Sequence, residues 1–197
     1  MSLQVNKESG VKYDPVFLKI LEDIPGGVTV KTDRFPTNTK EIKKGALLNA
    51  DAATVGLYNV IKTVKVTADA ASGETILAVN SNHLFKIDEY LYTNLEHAEK
   101  IVAVTPNTIE IAAALATGGV ATGAVLYETA TVDTATALYD TDAILRDTIE
   151  VRKDGVATLL DNIFAGAVVR GTVDESELPY FVTDQSKTDL TARIRFA

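Results

Sequence analysis

The sequence predicts a mainly β protein with one short C-terminal helix. Thr, Val and Ala are abundant, the apolar runs are short, and turn-forming residues interrupt them about every ten residues, which is typical of all-β chains. The chain has 197 residues, of which 46% are hydrophobic and 23% are charged. It is therefore long enough for one domain of ordinary size or two small ones, with a sizeable core.

The clearest strand pattern lies in residues 57–67, where apolar and polar side chains alternate with the period of a half-buried strand. Lys62 interrupts this alternation. Residues 97–104 and 108–113 are predicted to form a hairpin, because the Pro106-Asn107 pair between them presets one φ angle and tolerates a positive one. Further strands are predicted at residues 27–31, 75–79, 124–128, 144–151, 166–173 and 193–196.

A short helix is predicted at residues 183–190 near the C-terminus. Thr183 is a suitable N-cap, and Asp184 places a negative charge in the first turn, where the helix dipole favours it. A helix of two turns is marginal alone, so it must pack against the rest of the protein.

The charge and the residue composition exclude several classes of function. Acidic residues outnumber basic ones 27 to 19, giving a net charge of −8, which argues against binding to nucleic acid or to an anionic membrane. The absence of cysteine excludes disulfides, thiol catalysis and thiolate zinc sites. Since no apolar run approaches the roughly 18 residues of a membrane span and the first residues lack a secretory signal, we expect synthesis in a cytoplasm without membrane association.

Two motifs suggest ligand sites but have simpler interpretations. Residues 118–123 have the glycine spacing of a phosphate-binding loop, but Ala124 and Val125 stand where lysine and a hydroxyl residue are needed, which favours a connector. Asp140, Asp142 and Asp147 suggest calcium. The next alternate position is Ile144, which cannot bind a cation, so a solvated acidic turn is favoured.

Catalytic groups are not assembled by any motif in the sequence. His83 and His97 lie in different predicted elements, and the chain lacks a Gly-x-Ser-x-Gly motif. Lysines that lie on edge strands commonly prevent aggregation, and we interpret Lys62, Lys65 and Lys86 in this way. We therefore expect no enzyme activity, no cofactor, no metal and no small-molecule substrate.

Short structural motifs occur in two parts of the first half of the chain. Residues 43–48 (KKGALL) lead into residues 60–66 (VIKTVKV), and residues 82–89 (NHLFKIDE) precede residues 100–104 (KIVAV). Together these resemble the β-rich base region of the head-fibre proteins of tailed phages. In that family a His-x-Phe-Lys-Val-Gly-Asp-like turn precedes a strand and an Ile-x-x-Ile-Asp hairpin.

A third segment combines residues 143–151 (AILRDTIEV), 167–173 (AVVRGTV) and 178–180 (LPY). It is similar to the closing half of phage head-decoration proteins, where a Gly-Ile-Leu-x-x-Asp-Val strand precedes a Val-x-Gly-x-Val strand and a short tail helix. The chain departs from these patterns at Glu89, where the family often has Gly-Asp, and at Ala143, where glycine is usual.

The resemblance implies a domain organisation that also fits the spacing of the strands. Residues 60–128 are predicted to form a small β-barrel or sandwich inserted into a decoration-protein-like β module, which is formed by residues 26–59 plus 129–197. Insertion is tolerated where the entering and leaving chains lie close together at a surface turn. Residues 1–25 contain no clear periodic segment and are predicted to be an N-terminal arm.

The function that the resemblance implies is that of a structural virion protein of a phage or prophage. Such a protein decorates or stabilises the capsid exterior, or forms the base of a head fibre, and is commonly a homotrimer whose partner is the major capsid protein. The alternative is an all-β binding module of a phage tail or bacterial envelope that recognises a surface glycan or protein. The candidate capsid-contact or tail-anchoring residues are Leu178, Pro179, Tyr180, Phe181, Leu190, Ile194 and Phe196.

Overall fold

The computed structural model describes residues 16–94, 97–132, 135–152, 160 and 162–197, and all structural statements refer to these residues. The prediction of a mainly β fold with barrel-like curvature and a short C-terminal helix is confirmed. The strands of the first half are β1 (Phe17–Asp23), β2 (Val28–Val30), β3 (Glu41–Ile42), β4 (Leu47–Ala50), β5 (Leu57–Val60), β6 (Thr63–Lys65), β7 (Ile76–Ala78) and β8 (Tyr90–Asn94). Those of the second half are β9 (His97–Val104), β10 (Thr108–Ile111), β11 (Val125–Thr129), β12 (Ala143–Leu145), β13 (Ile149–Glu150), β14 (Ile163–Ala165), β15 (Ala167–Val173) and β16 (Ile194–Phe196).

An eight-stranded sheet combines strands from both ends of the chain. Its order is β1-β15-β12-β4-β5-β2-β14, and β16 pairs with β15 in parallel. Strand β3 pairs with β13 in a separate two-stranded sheet. Because β12 lies between β4 and β15, this sheet forms only when the segments before and after residues 63–129 come together.

A six-stranded sheet contains β6 to β11, in the order β6-β11-β8-β9-β10-β7. A bridge between Val66 and Val79 joins its two outer strands, which gives the sheet a barrel-like closure. The predicted hairpin is confirmed, since β9 and β10 are antiparallel neighbours. We call residues 63–129 the inserted unit, and the described residues of 16–60 and 135–197 the flanking unit.

The apolar cores follow this division with one exception, since Leu84 of the inserted unit packs into a core of the flanking unit. One core is built from residues of the inserted unit, including Phe85, Leu91 and Ile101. The eight-stranded sheet has a core on each face, because successive residues of a strand point to opposite sides: Leu47 packs into one core and Leu48 into the other. Burial on both faces explains why β12 is a continuous apolar run.

Two predicted strands are each divided in two in the structure. Residues 57–67 form β5 in the eight-stranded sheet and β6 in the six-stranded sheet, and the chain passes between the sheets at Ile61-Lys62. The alternation therefore belongs to two strands with different neighbours. Residues 144–151 likewise separate into β12 and β13.

Strand β1 lies in the segment that was predicted to be an arm. It pairs with β15 along Phe17–Asp23, and the pairing contains three register irregularities. Of its seven residues, Phe17 is buried and the next five are exposed, so the sequence shows no alternation. The close pairing depends on Gly171, since a Cβ atom there would lie 2.4 Å from the carbonyl oxygen of Lys19.

The C-terminal segment returns to the eight-stranded sheet. A 3-10 helix (Glu175–Glu177) precedes α1 (Asp184–Leu190), and the hydroxyl of the predicted cap Thr183 accepts a hydrogen bond from the backbone N–H of Ser186 at 3.1 Å. Leu190 packs into the core beside β15 and β16, which provides the packing that a short helix requires.

Candidate functional site

Buried charged residues lie at the junction of the two units. The side chain of Lys62, which is completely buried, forms an ion pair with Glu89 and donates a hydrogen bond to the backbone oxygen of Arg34 at 2.6 Å. The other carboxylate oxygen of Glu89 accepts a hydrogen bond from the backbone N–H of Lys86 at 2.8 Å. A lysine of the connection between the sheets is thus bound to both units.

A second ion pair crosses the same junction. Arg34 of the flanking unit binds the carboxylate of Glu128 on β11, and it also donates a hydrogen bond to the hydroxyl of Tyr139. The guanidinium carbon lies 4.8 Å from the centre of the Tyr139 ring, in cation–π contact. The junction therefore contains two cations and two carboxylates.

Burial and charge act in opposite directions on this cluster. Desolvation lowers the pKa of Lys62 and raises the pKa of Glu128, because burial disfavours both charged forms. Coulombic attraction between the two residues acts the other way: it raises the pKa of Lys62 and lowers the pKa of Glu128, and so offsets part of the effect of burial. We call the four residues Arg34, Lys62, Glu89 and Glu128 the junction cluster. Because their charges compensate one another, we interpret the cluster as a structural contact that holds the two units together.

The structure corrects the interpretation of Lys62 as a solubility residue at a strand edge. It is 1% exposed and belongs to the junction cluster. Its partners Arg34, Glu89 and Glu128 were not identified from the sequence, because they lie far from one another along the chain. The one available signal was Lys62 itself, a charged residue that interrupts an apolar alternation.

A cleft of about 780 Å³ lies between the two units. It is linked to the junction cluster through Lys86, which lines the cleft and whose backbone N–H donates a hydrogen bond to Glu89. One wall is the segment from Pro36 to Lys43, and the other consists of residues 82–87 and 104–106. The ring nitrogen Nε2 of His83 is 2.9 Å from the backbone oxygen of Thr105, a contact that joins two parts of the second wall. Tyr180 also lines the cleft, and its hydroxyl accepts a hydrogen bond from the backbone N–H of Lys43 at 3.4 Å, which connects the first wall to the C-terminal segment.

The predicted tail residues divide into buried and half-buried groups. Tyr180, Leu190 and Ile194 are buried in the cores of the flanking unit. Four of the seven residues keep part of their surface accessible. Lys65 lies 5.5 Å from the centre of the ring of one of them, Phe181. The half-buried members are Leu178, Pro179, Phe181 and Phe196.

The two histidines and the acidic residues do not assemble a site. His83 contacts the 105–108 turn, whereas His97 begins β9. The carboxylate of Asp142 accepts a hydrogen bond from the backbone N–H of Ala50 at 2.9 Å, and Asp147 forms an ion pair with Arg146. Within the described residues, no three or more side chains of histidine, aspartate or glutamate form a group suited to a metal ion.

The buried hydroxyl of Tyr180 predicts a change in stability at alkaline pH. Burial raises the pKa of Tyr180 from 10.0 to about 12. The unfolded chain therefore loses this proton first, so the stability contribution is complete below pH 10 and is lost as pH rises toward about 12. Between about pH 9 and pH 11, the free energy of unfolding should fall by about 1.3 kcal/mol more in the wild type than in Tyr180→Phe.

Urea unfolding of both proteins, followed by circular dichroism at each pH, measures this difference. The two proteins differ only in the hydroxyl of residue 180, so the contributions of all other groups cancel in the comparison. The prediction is wrong if the free energy of unfolding changes with pH by the same amount in the wild type and in Tyr180→Phe. That result would mean that the Tyr180 hydroxyl ionises as readily in the folded protein as in the unfolded chain.

The helices of the described residues are too short to cross a membrane. Comparisons with protein-family models, with curated proteins and with solved structures found no match. The fold and the geometry of the chain's own residues are therefore the basis on which a function is assigned.

Proposed function

We propose that this chain is a structural virion protein of a tailed phage or prophage, which decorates the capsid exterior or forms the base of a head fibre. The observation that carries the proposal is the attachment of the inserted unit to the flanking unit. The entering and leaving chains are hydrogen-bonded neighbours, with the backbone N–H of Glu128 3.3 Å from the oxygen of Lys62. The junction cluster fixes the inserted unit beside this point.

Such a molecule suits a role in which one unit binds a surface and carries the other outward. The flanking unit is stabilised on both faces of its sheet, and the inserted unit has a core of its own. Buried ion pairs at the junction hold a defined orientation better than a flexible linker does. Separating such a pair is costly, because each charge then stays buried without its partner. This division of roles supports a display or fibre-base function.

We assign attachment to the half-buried residues of the C-terminal segment, Leu178, Pro179, Phe181 and Phe196. Leu178 and Phe181 border a shallow cleft of about 490 Å³ together with Val182. Since the chain carries a net charge of −8, apolar contact is the more suitable source of affinity for the major capsid protein. Attachment as a homotrimer would raise the effective affinity of individually weak contacts.

The test uses the full-length double variant Leu178→Ser/Phe181→Ser. The control is Ile76→Ser, which removes an apolar side chain that is 55% exposed on β7 of the inserted unit. Cosedimentation with empty capsids, made from the major capsid protein of the phage or prophage that encodes this chain, should show binding reduced by about tenfold or more for the double variant alone. Thermal melts should show that both variants remain folded.

The salt dependence and the molecular mass complete the experiment. Binding of the wild type should persist at high salt, because apolar contacts are not screened. Light scattering after gel filtration should give the mass of three chains. Full binding by the folded double variant, or loss of wild-type binding in modest salt, would contradict the proposed attachment surface. Absence of wild-type binding to these capsids would contradict the function itself.

A further inference from the structure

We propose that the cleft between the two units binds an extended acidic peptide segment of a partner protein. Its volume of about 780 Å³ falls in the range of about 300–1,000 Å³ that is usual for ligand sites. Its position between two units is also one where such sites commonly occur. The inference is independent of the capsid function, since it concerns a different surface.

The charge of the cleft differs in sign from the charge of the whole chain. Lys40, Lys43 and Lys86 line it, against the single carboxylate of Glu41. The chain as a whole carries a net charge of −8, so a group of three lysines around one concave surface is a local reversal. A ligand that carries carboxylates is therefore complementary to the cleft.

Polar side chains on both walls can recognise a peptide backbone. Asn38 on one wall and Asn82 on the other are exposed, and their side-chain amides make no hydrogen bond to the described residues. A side-chain amide offers both donors and an acceptor, as a peptide bond does. The amides of Asn38 and Asn82, on opposite walls, could therefore form hydrogen bonds with the backbone of a peptide that lies between the walls.

The apolar lining favours a peptide over an acidic glycan. Pro36, Ile87 and Pro106 contribute aliphatic surface, and Ile87 is 55% exposed. Sugar rings are usually bound on exposed aromatic platforms. The six-membered aromatic rings in this lining, those of Phe85 and Tyr180, are only 0% and 6% exposed. The smaller ring of His83 is half-buried and is bound to the backbone oxygen of Thr105. Apolar side chains that alternate with acidic ones in an extended peptide would contact both the aliphatic surface and the lysines.

The second wall of the cleft is held in place before any ligand binds. The Nε2–H of His83 donates to the oxygen of Thr105, and the hydroxyls of Thr105 and Thr108 are 2.7 Å apart. Lys86 donates to the backbone oxygen of Asp33 at 3.1 Å, which connects this wall to the flanking unit. Such a preformed site loses little conformational entropy on binding.

The test titrates the full-length protein with the capped peptide Ac-(Glu-Val)₃-NH₂, followed by amide chemical shifts in NMR spectra. Saturable shifts are expected in residues 36–43 and 82–87, and the peptide with Gln in place of Glu should bind about tenfold more weakly. The variant Lys40→Gln/Lys43→Gln/Lys86→Gln should lose about tenfold in affinity. The matched control Lys19→Gln/Lys31→Gln/Lys187→Gln removes the same charge elsewhere and should bind within about twofold of the wild type.

Three outcomes would overturn the proposal. One is the absence of saturable shifts in the cleft at millimolar peptide. Another is an equal loss of affinity in the two triple variants, which would indicate a general charge effect. The third is stronger binding of trigalacturonate than of the acidic peptide, which would assign the cleft to an acidic glycan. Because these measurements need no capsid, their failure is distinguishable from failure of the capsid function.

Discussion

Replacing Lys62 with alanine is expected to lower the free energy of unfolding by about 3–5 kcal/mol. Lys62 is the buried cation that faces Glu89 and lies near Glu128, so its removal leaves a buried excess of negative charge. Urea unfolding followed by circular dichroism at neutral pH measures the loss. The matched control is Lys65→Ala on the adjacent strand β6, where the lysine is exposed and the stability should change little.

A double variant separates the effect of charge from the effect of lost volume. In Lys62→Met/Glu89→Leu both members of one ion pair become apolar, and the pair of Arg34 and Glu128 stays balanced. Buried ion pairs can be replaced by apolar side chains of similar size at little cost, so this variant should recover more than half of the loss. If the double variant is as unstable as Lys62→Ala, uncompensated charge is not the cause.

Replacing Phe85 with alanine is expected to destabilise the inserted unit by about 3–5 kcal/mol. The ring is fully buried and belongs to the core of that unit, and its loss leaves a cavity. Hydrogen exchange should show the largest increase in the amides of β6 to β11. The matched control is Phe35→Ala, which removes an equally buried ring from a core of the flanking unit.

The control variant should reverse the pattern, with faster exchange concentrated in β4, β12 and β15. This contrast follows from the separate cores of the two units. The prediction is wrong if both variants raise the rates of hydrogen exchange equally in both units. That result would mean that the junction joins the two units so tightly that they unfold together, although their cores are separate.

The sequence allowed the regular parts of the fold to be predicted because their signals are local. The hairpin of β9 and β10 has a turn between two apolar runs, and α1 has a cap residue at its first position. These features depend on residues within a few positions of one another. The same local signals did not reveal that residues 57–67 cross from one sheet to another, because the alternation continues on both sides of the crossing.

The features that were missed depend on distant partners. Strand β1 is held by pairing with β15, and most of its side chains are exposed, so it carries no periodic pattern. The junction cluster brings together Arg34, Lys62, Glu89 and Glu128 from four separate segments. A lysine in an apolar strand indicates that partners exist, but their identity is determined by tertiary structure.

The adjacency of Lys62 and Glu128 has a consequence for the order of folding. Closing a loop becomes more costly as the loop lengthens, by about 0.6 kcal/mol for each doubling. Strands β4 and β12 must pair across the whole inserted unit, but once that unit is folded its two ends are neighbours and the remaining loop is short. We therefore expect the inserted unit, with its sequence-local hairpins, to fold first. During synthesis β1 to β4 leave the ribosome before β12 to β15, with which they pair, and the folded insert then brings β12 next to β4.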